Sequence, residues 1–371
     1  LGLSRLLLPP PRWRVLLLAT LLMLWPHQGT LFSGLSGHLL QFGLSGLALV
    51  PLAIVLSQLV EELVEHLGAR LGGLVSVVFG NVVELLVAIN ALSSGLYPLV
   101  VTSIAGSVVI NCLLVLGVSI VIATRREQSV DIDPHSRDLH TQQLLMSAIL
   151  LALPSVFYQQ GLGSALQGSN QADAFSIYSA LVAVMGLAYY ALAFISPLAR
   201  QSLPQQQPAV AKTGSPRQSL PAVVLALAAI TGLIAVVSDR LVVALELVVD
   251  GSHLNALFVG LFLLPLFSCL SEALVAFRAA SRQQMQLVMT STVESSLQLL
   301  LFVLPLLVLV GIPMGRYLHL SLPPVALAAL AIAIVMIGRI TDNRNVNWYE
   351  GVQLIVLLTA MATGALLLVK P

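Results

Sequence analysis

The sequence predicts an all-α polytopic membrane protein: two inverted five-helix repeats behind an N-terminal helix, about eleven transmembrane helices in all. Three observations carry that expectation. The composition is 58% hydrophobic and only 9% charged, outside the range of soluble domains. The apolar stretches are continuous rather than alternating, which selects helices over a barrel, because a bilayer core offers no water to unpaired backbone groups. Each half of the chain also keeps a carboxylate, Glu84 or Glu272, inside an interrupted apolar stretch, where an ionised acid costs about 2.5–3.5 kcal/mol.

Taken in order, Arg5, Arg12 and Arg14 precede a short apolar run from Val15 to Trp25. No small-residue cleavage site follows, so residues 1–38 read as a signal-anchor-like helix. Further apolar stretches lie at 39–63, 74–94, 97–123, 142–157, 173–198, 221–249, 254–277, 285–311, 322–340 and 351–369. The first of these continues as a more polar helical extension to about Gly68. Stretch 142–157 is short for a span, and 221–249 carries Asp239, Arg240 and Glu246. Pro- and Gln-rich residues 201–220 form a flexible linker. It separates a first repeat, 39–200, from a second, 221–371. An odd number of spans per block inserts the second upside down relative to the first.

With a cytoplasmic N-terminus, alternate loops hold all of the 17 Lys and Arg residues except Arg240, Arg316 and Lys370 on one side. Such a bias predicts an N-in, multi-pass protein of the cell (inner) membrane with a cytoplasmic linker. Net charge is +1, and no basic patch suggests nucleic acid. Cys112 and Cys269 both lie in apolar stretches and read as free thiols. Loop Thr124–His140 carries acids, arginines and histidines but lacks the Gly turn and terminal Glu of a calcium-binding loop. It reads as a solvated loop.

The chemistry concentrates near the two carboxylates. Asn81 and Glu84 are three apart and share a helix face, with Gly80 just before them permitting a break. Ser103, Ser107 and Asn111 recur every four residues along the next stretch, and Ser291, Ser295 and Gln298 make a similar stripe with Glu294 beside it. Stripes of this kind also serve as packing contacts between helices. A hard cation suits the set: Ca²⁺ takes six to eight oxygens, from carboxylates, amides, carbonyls and water. Two carboxylates neutralise it, and Asn81, Asn111, Gln298 and the hydroxyls add neutral oxygens. The Cys/His patterns of zinc or copper sites are missing, and so is the His-Glu-x-x-His pair of a metalloprotease. A buried carboxylate that loses its cation readily takes up a proton. Exchange of Ca²⁺ for H⁺ therefore needs no further cofactor.

From Leu49 onward the chain resembles the cation/proton exchangers of the calcium:cation antiporter superfamily. The resemblance rests on Pro51-Leu52-Ala53, Glu61-Glu62-Leu63, Gly72-Gly73-Leu74 and Phe79-Gly80-Asn81-Val82-Val83-Glu84-Leu85, followed by Gly106-Ser107 through Asn111 to Gly117. In the second half Ser238-Asp239, Glu246, Leu257-Phe258-Val259-Gly260, Ser295-Ser296-Leu297-Gln298 and Asn347-Trp348-Tyr349-Glu350-Gly351 fall in family order. It implies inverted five-helix repeats plus an extra N-terminal helix, and exchange of cytosolic Ca²⁺ for protons. Where the family has Gly-Asn-Ala-Ala-Glu-His, this chain has Ser268-Cys269-Leu270-Ser271-Glu272-Ala273. Where the family has Gly before Ser-Ser-x-Gln, this chain has Glu294. The second repeat thus loses an amide oxygen and gains a carboxylate.

The expected site residues are Asn81, Glu84, Ser107, Asn111, Glu272, Glu294, Ser295, Ser296 and Gln298. Glu61 and Asp239 sit at matching places in the two repeats, as cation guides at the mouths or as solvated helix ends; Glu350 with Trp348 reads as an interfacial anchor. Two alternatives to Ca²⁺/H⁺ exchange remain: a same-fold exchanger of Mn²⁺, Na⁺ or K⁺, and a non-transporting cation-binding membrane protein. The topology has a direct check. A single cysteine placed in the Gln201–Ser219 linker should resist an impermeant thiol reagent applied outside intact cells, and ready labelling would overturn the N-in arrangement.

Overall fold

The structure, a computed structural model, describes residues 11–25, 32, 34–125, 129–131, 134–158, 169–195, 218–251, 254–342 and 345–368. Arg5, most of the linker and Lys370 lie outside the described residues.

A 3-10 turn, Pro11–Leu16, leads into α1, Leu17–Met23. Helix α2 runs Gly34–Gly80 and joins the expected stretch 39–63 to the first part of 74–94, its one non-helical residue being Gly68 at φ 72°. That positive φ is one that only glycine adopts without cost. Helix α3 is Val82–Ser93. Helix α4, Tyr97–Val109, passes through a π turn, Ile110–Val115, into α5, Leu116–Ala123. Then come β1 at Ser129–Asp131, α6 at Pro134–Phe157, α7 at Ser169–Ile195 and α8 at Leu220–Gly251. Helix α9, Ala256–Phe258, continues through a second π turn, Val259–Leu263, into α10, Leu264–Ser268. Helix α11 is Leu270–Ser281, and α12, Met285–Gln298, joins α13, Leu304–Gly311, through a third π turn, Leu299–Val303. The chain closes with α14 at Pro324–Asp342, β2 at Asn345–Asn347 and α15 at Trp348–Leu368.

Among the described residues, six helices are long and apolar enough to cross a membrane, or eight if each of two bent pairs is one span. The bends are 48° between Leu71–Gly80 and Val82–Ser93, and 57° between Ala256–Ser268 and Leu270–Ser281. Stretch 142–157 proves to be the apolar end of the longer α6, whose first turns are too polar to show in hydropathy. Despite its charges, 221–249 forms one unbroken helix.

Two compact units follow from the packing, and each draws on both halves of the sequence. The first comprises residues 1–91 and 207–254, the second 92–206 and 255–371. In the first, α8 packs along α2; α8 buries Ile234, Val237, Leu241 and Leu245, and α2 buries Leu49, Leu52, Leu56 and Leu59. Thr20 Oγ1 donates to the Ala48 carbonyl at 3.1 Å, joining α1 to α2. Asn90 Nδ2 donates to Ser238 Oγ at 2.7 Å and to the Ala235 carbonyl at 3.0 Å, joining α3 to α8.

In the second unit, backbone meets backbone at two places. A Cβ on Gly106 would overlap the carbonyl of Leu261, so α4 lies directly against the second π turn. A Cβ on Gly351 would fall 2.7 Å from the carbonyl oxygen of Gly117, where α15 crosses α5. Small residues let membrane helices approach this closely. The loop that reads as solvated contributes β1, which pairs antiparallel with β2 in the register Val130 to Val346. At the end of β2, Asn347 Oδ1 accepts the Glu350 N–H at 3.2 Å, and Glu350 Oε2 accepts the Asn347 N–H at 2.9 Å. This is a capping box that starts α15, a role distinct from the membrane-interface anchoring expected of Glu350.

The Gly117–Gly351 crossing makes a prediction. Gly351→Ala puts a methyl against a backbone carbonyl and should cost about 1–3 kcal/mol, lowering the midpoint of thermal unfolding in detergent. Gly364→Ala on the same helix meets nothing within 4 Å and should leave the midpoint unchanged or slightly raised. Equal midpoints for the two variants would refute the crossing.

Candidate cation site

Each unit carries a carboxylate at the same local position. In the first, α2 ends at Gly80, and the Asn81 carbonyl accepts the Leu85 N–H at 3.0 Å as α3 begins. Glu84 is therefore the third residue of a restarted helix. In the second, the Cys269 carbonyl accepts the Ala273 N–H at 2.9 Å as α11 begins, and Glu272 is again third. Helix N-termini present unpaired N–H groups and a partial positive charge, which favour a nearby carboxylate. Asn81 and Glu84 are 2% and 3% exposed. The residue before each restart differs: Asn81 is a good N-cap type, whereas Cys269 makes no side-chain cap.

Around Glu272 the second unit supplies a specific set of partners. Ser295 Oγ lies 3.0 Å from both carboxylate oxygens and donates to them. Asn111 Nδ2 donates to Glu272 Oε2 at 3.0 Å and approaches Ser295 Oγ at 3.4 Å. With its amide nitrogen so engaged, Asn111 Oδ1 is buried without a hydrogen-bond partner. An orphaned buried acceptor calls for an explanation, and a cation beside Glu272 supplies one.

Other expected residues take different places. Ser107 is buried, and its backbone carbonyl faces the Cys269 thiol at 3.9 Å. Ser296 Oγ donates to the Thr292 carbonyl at 2.8 Å and sits 3.7 Å from Cys112 Sγ. Gln298 is buried and bonds the hydroxyl of Tyr190, from α7, a partner with no signature in the sequence. Ser103 and Ser291 turn their hydroxyls back to the carbonyls of Val100 and Val288, as in packing contacts. Glu294 is exposed; its electrostatic neighbour is Tyr190, and no hydrogen bond joins it to Glu272.

Apolar helices long enough to span a bilayer, with two bent pairs restarted near a carboxylate, define an integral multi-pass membrane protein. The chain belongs to the sodium/calcium exchanger protein family, which matches residues 37–198 and 222–366. It is 30% identical over 337 residues to a Ca(2+)/H(+) antiporter of Synechocystis sp., covering 88% of this chain and 90% of that one. With a Ca(2+)/H(+) antiporter of Aphanothece halophytica it shares 30% identity over 323 residues, 83% of this chain and 84% of the relative. Among solved structures, native YfkE superposes with a TM-score of 0.74 at 23% identity, covering 96% of this chain and 97% of that one. The H+/Ca2+ exchanger CAX gives 0.68 at 16%, covering 95% and 89%. Both likenesses concern the fold.

The burial of the two thiols has a measurable consequence. Cys112 and Cys269 are 0% and 1% exposed, so neither should react with a bulky maleimide in the folded protein, and both should react after denaturation. Rapid native labelling of Cys269 would show that the α10–α11 break is open to solvent.

Proposed function

We propose that the chain is a secondary active antiporter, not an enzyme, exchanging Ca²⁺ or a related cation for H⁺ across a membrane by alternating access. The carrying observation is Glu272 held by Ser295 and Asn111 with the Asn111 Oδ1 acceptor unused. The names of the Synechocystis and Aphanothece relatives support the same exchange. A carboxylate and an amide oxygen at one point suit a hard cation. When the cation leaves, a proton on Glu272 balances the site. Ser295 serves both states, since a hydroxyl donates to a carboxylate or accepts from a carboxylic acid. Glu84, third in its own restarted helix, plays the corresponding role in the first unit with Asn81. Ser107, Ser296 and Gln298 contribute oxygens or hold them in place, and Glu294 adds a carboxylate next to Ser295.

Six long apolar helices, two bent pairs and the shorter helices Arg14–Met23, Thr141–Phe157 and Pro324–Ile340 support an eleven-span reading with inverted repeats. The arginine bias supports a cytoplasmic N-terminus. One observation favours altered selectivity. Cys269 stands where the family has Asn, putting a thiol in place of an amide oxygen at the start of α11.

The test is ⁴⁵Ca²⁺ uptake into inside-out vesicles under an imposed pH gradient, with a protonophore control. Glu84→Gln and Glu272→Gln should each abolish pH-driven uptake. Asn111→Leu, which removes both the orienting donor and the free acceptor, should weaken apparent Ca²⁺ affinity about 10–100-fold. Uptake that persists undiminished in Glu272→Gln, or that ignores the protonophore, would overturn this reading.

A further inference from the structure

Away from the carboxylates, the polar stretch of α2 just before Gly68 meets the start of α8 through a histidine. Glu62 Oε1 accepts the Gln218 N–H at 2.9 Å. His66 Nε2 lies 2.9 Å from the Gln218 carbonyl oxygen, and His66 Nδ1 lies 2.8 Å from the Glu62 carbonyl oxygen. Both partners are carbonyls, and a carbonyl oxygen only accepts. A neutral imidazole has one N–H and one bare nitrogen, whereas the imidazolium donates from both. The two bonds therefore exist together only in the charged ring. Removing either proton sets a lone pair against an oxygen lone pair.

We propose that His66 is a proton-operated clamp. Doubly protonated, it fastens the start of α8 to the polar stretch of α2; neutral, it keeps only one of its two bonds and the bridge is broken. An imidazole changes charge between about pH 5 and 8, so the clamp works in the range an exchanger of protons meets. In the sequence Glu61, Glu62 and Glu65 precede His66 on α2, Arg70 follows four residues later and Arg217 precedes Gln218; Leu220–Ser238 of α8 contains no titratable side chain. Arg14, at the N-terminal end, is the cation described on the turn that packs against α2. Two residues beyond His66 stands Gly68, the break at φ 72°. Past that hinge α2 runs on to Gly80, directly before Asn81 and the α3 residue Glu84. The state of the ring thus bears on the joint that carries the first unit's carboxylate. On the arginine-bias topology both ends of the clamp face the cytoplasm, which makes it a sensor of internal pH.

The experiment is amide hydrogen exchange on the full-length protein in detergent, from about pH 5 to about pH 8, with each rate divided by its intrinsic value. It follows the Gln218, Ala222 and Val223 amides, all hydrogen-bonded at this joint, and uses α11 as an internal reference. In wild type these amides should be protected at the acid end and lose protection about tenfold toward the alkaline end, the worth of roughly one hydrogen bond. His66→Leu should show the low protection throughout. Should that variant misfold, His66→Asn retains the reach to the Glu62 carbonyl but not to Gln218, and it should also be flat and low. A pH-independent wild type, or a variant that keeps the wild-type profile, would overturn the clamp. Because the readout is exchange rather than flux, its outcome is separate from that of the antiport reading.

Discussion

A carboxylate inside an apolar helical segment must be met by donors, because its water has been taken away and a bilayer supplies none. In this chain each such acid sits in the first turn of a helix, where the partial positive charge of the N-terminus favours it. Breaking a helix and restarting it frees N–H groups, and Glu84 and Glu272 both occupy the third position of the restarted helices α3 and α11. The requirement then propagates outward. Ser295 and Asn111 must reach Glu272 from two other elements. That reach depends on α4 lying close to the chain that leads into α11, which Gly106 permits by offering no Cβ to the Leu261 carbonyl. An isolated charge thus fixes the position of a break, the identity of a glycine and the faces of two neighbouring helices.

Much of this was legible in the sequence, for physical reasons that can be named. Long apolar runs have few other uses than spanning a bilayer, so the principal helices could be placed. The two acids stood out because their cost demands a role. Asn111 and Ser295 were found through four-residue spacing, which keeps side chains on one helix face. Glu294 lies one residue from Ser295, about 100° around the helix, and it is exposed while Ser295 binds Glu272. What stayed hidden lacked a signal of its own. Strands β1 and β2 are three residues each and mostly polar, too short for alternation to register. Tyr190 is one aromatic among many apolar residues of α7, and only folding brings it to Gln298. Glu350 carries the spacing of a capping box, Asn347-x-x-Glu350, but the neighbouring Trp348 drew the interpretation toward the membrane interface.

The compact units are also at odds with a simple reading of chain order. Early segments of each half, 39–91 and 221–254, fall in the first unit, and the later segments fall in the second. The linker between the halves therefore joins segments of different units. Within the first unit, a long α2–α8 pair forms the body and Asn90 ties α3 to it through Ser238. Within the second, contacts between glycines and backbone carbonyls allow the closest approaches. Bulk is excluded at those points, so the glycines at 106, 117 and 351 are set by geometry rather than by chemistry.

The three π turns carry a further consequence, for the numbering of the chain itself. A π turn accommodates an extra residue within an otherwise regular helix, so the angular phase of the side chains changes across it. The Ser103–Ser107–Asn111 stripe enters the turn Ile110–Val115 in one phase, and Gly117 leaves it in another. Deleting a single residue there would let the helix wind as an ordinary α-helix and turn α5 by about 100°, swinging Gly117 away from Gly351 while leaving composition and hydropathy almost untouched. Between relatives, a one-residue gap at this place is a rotation of half a membrane span, not a trimmed loop.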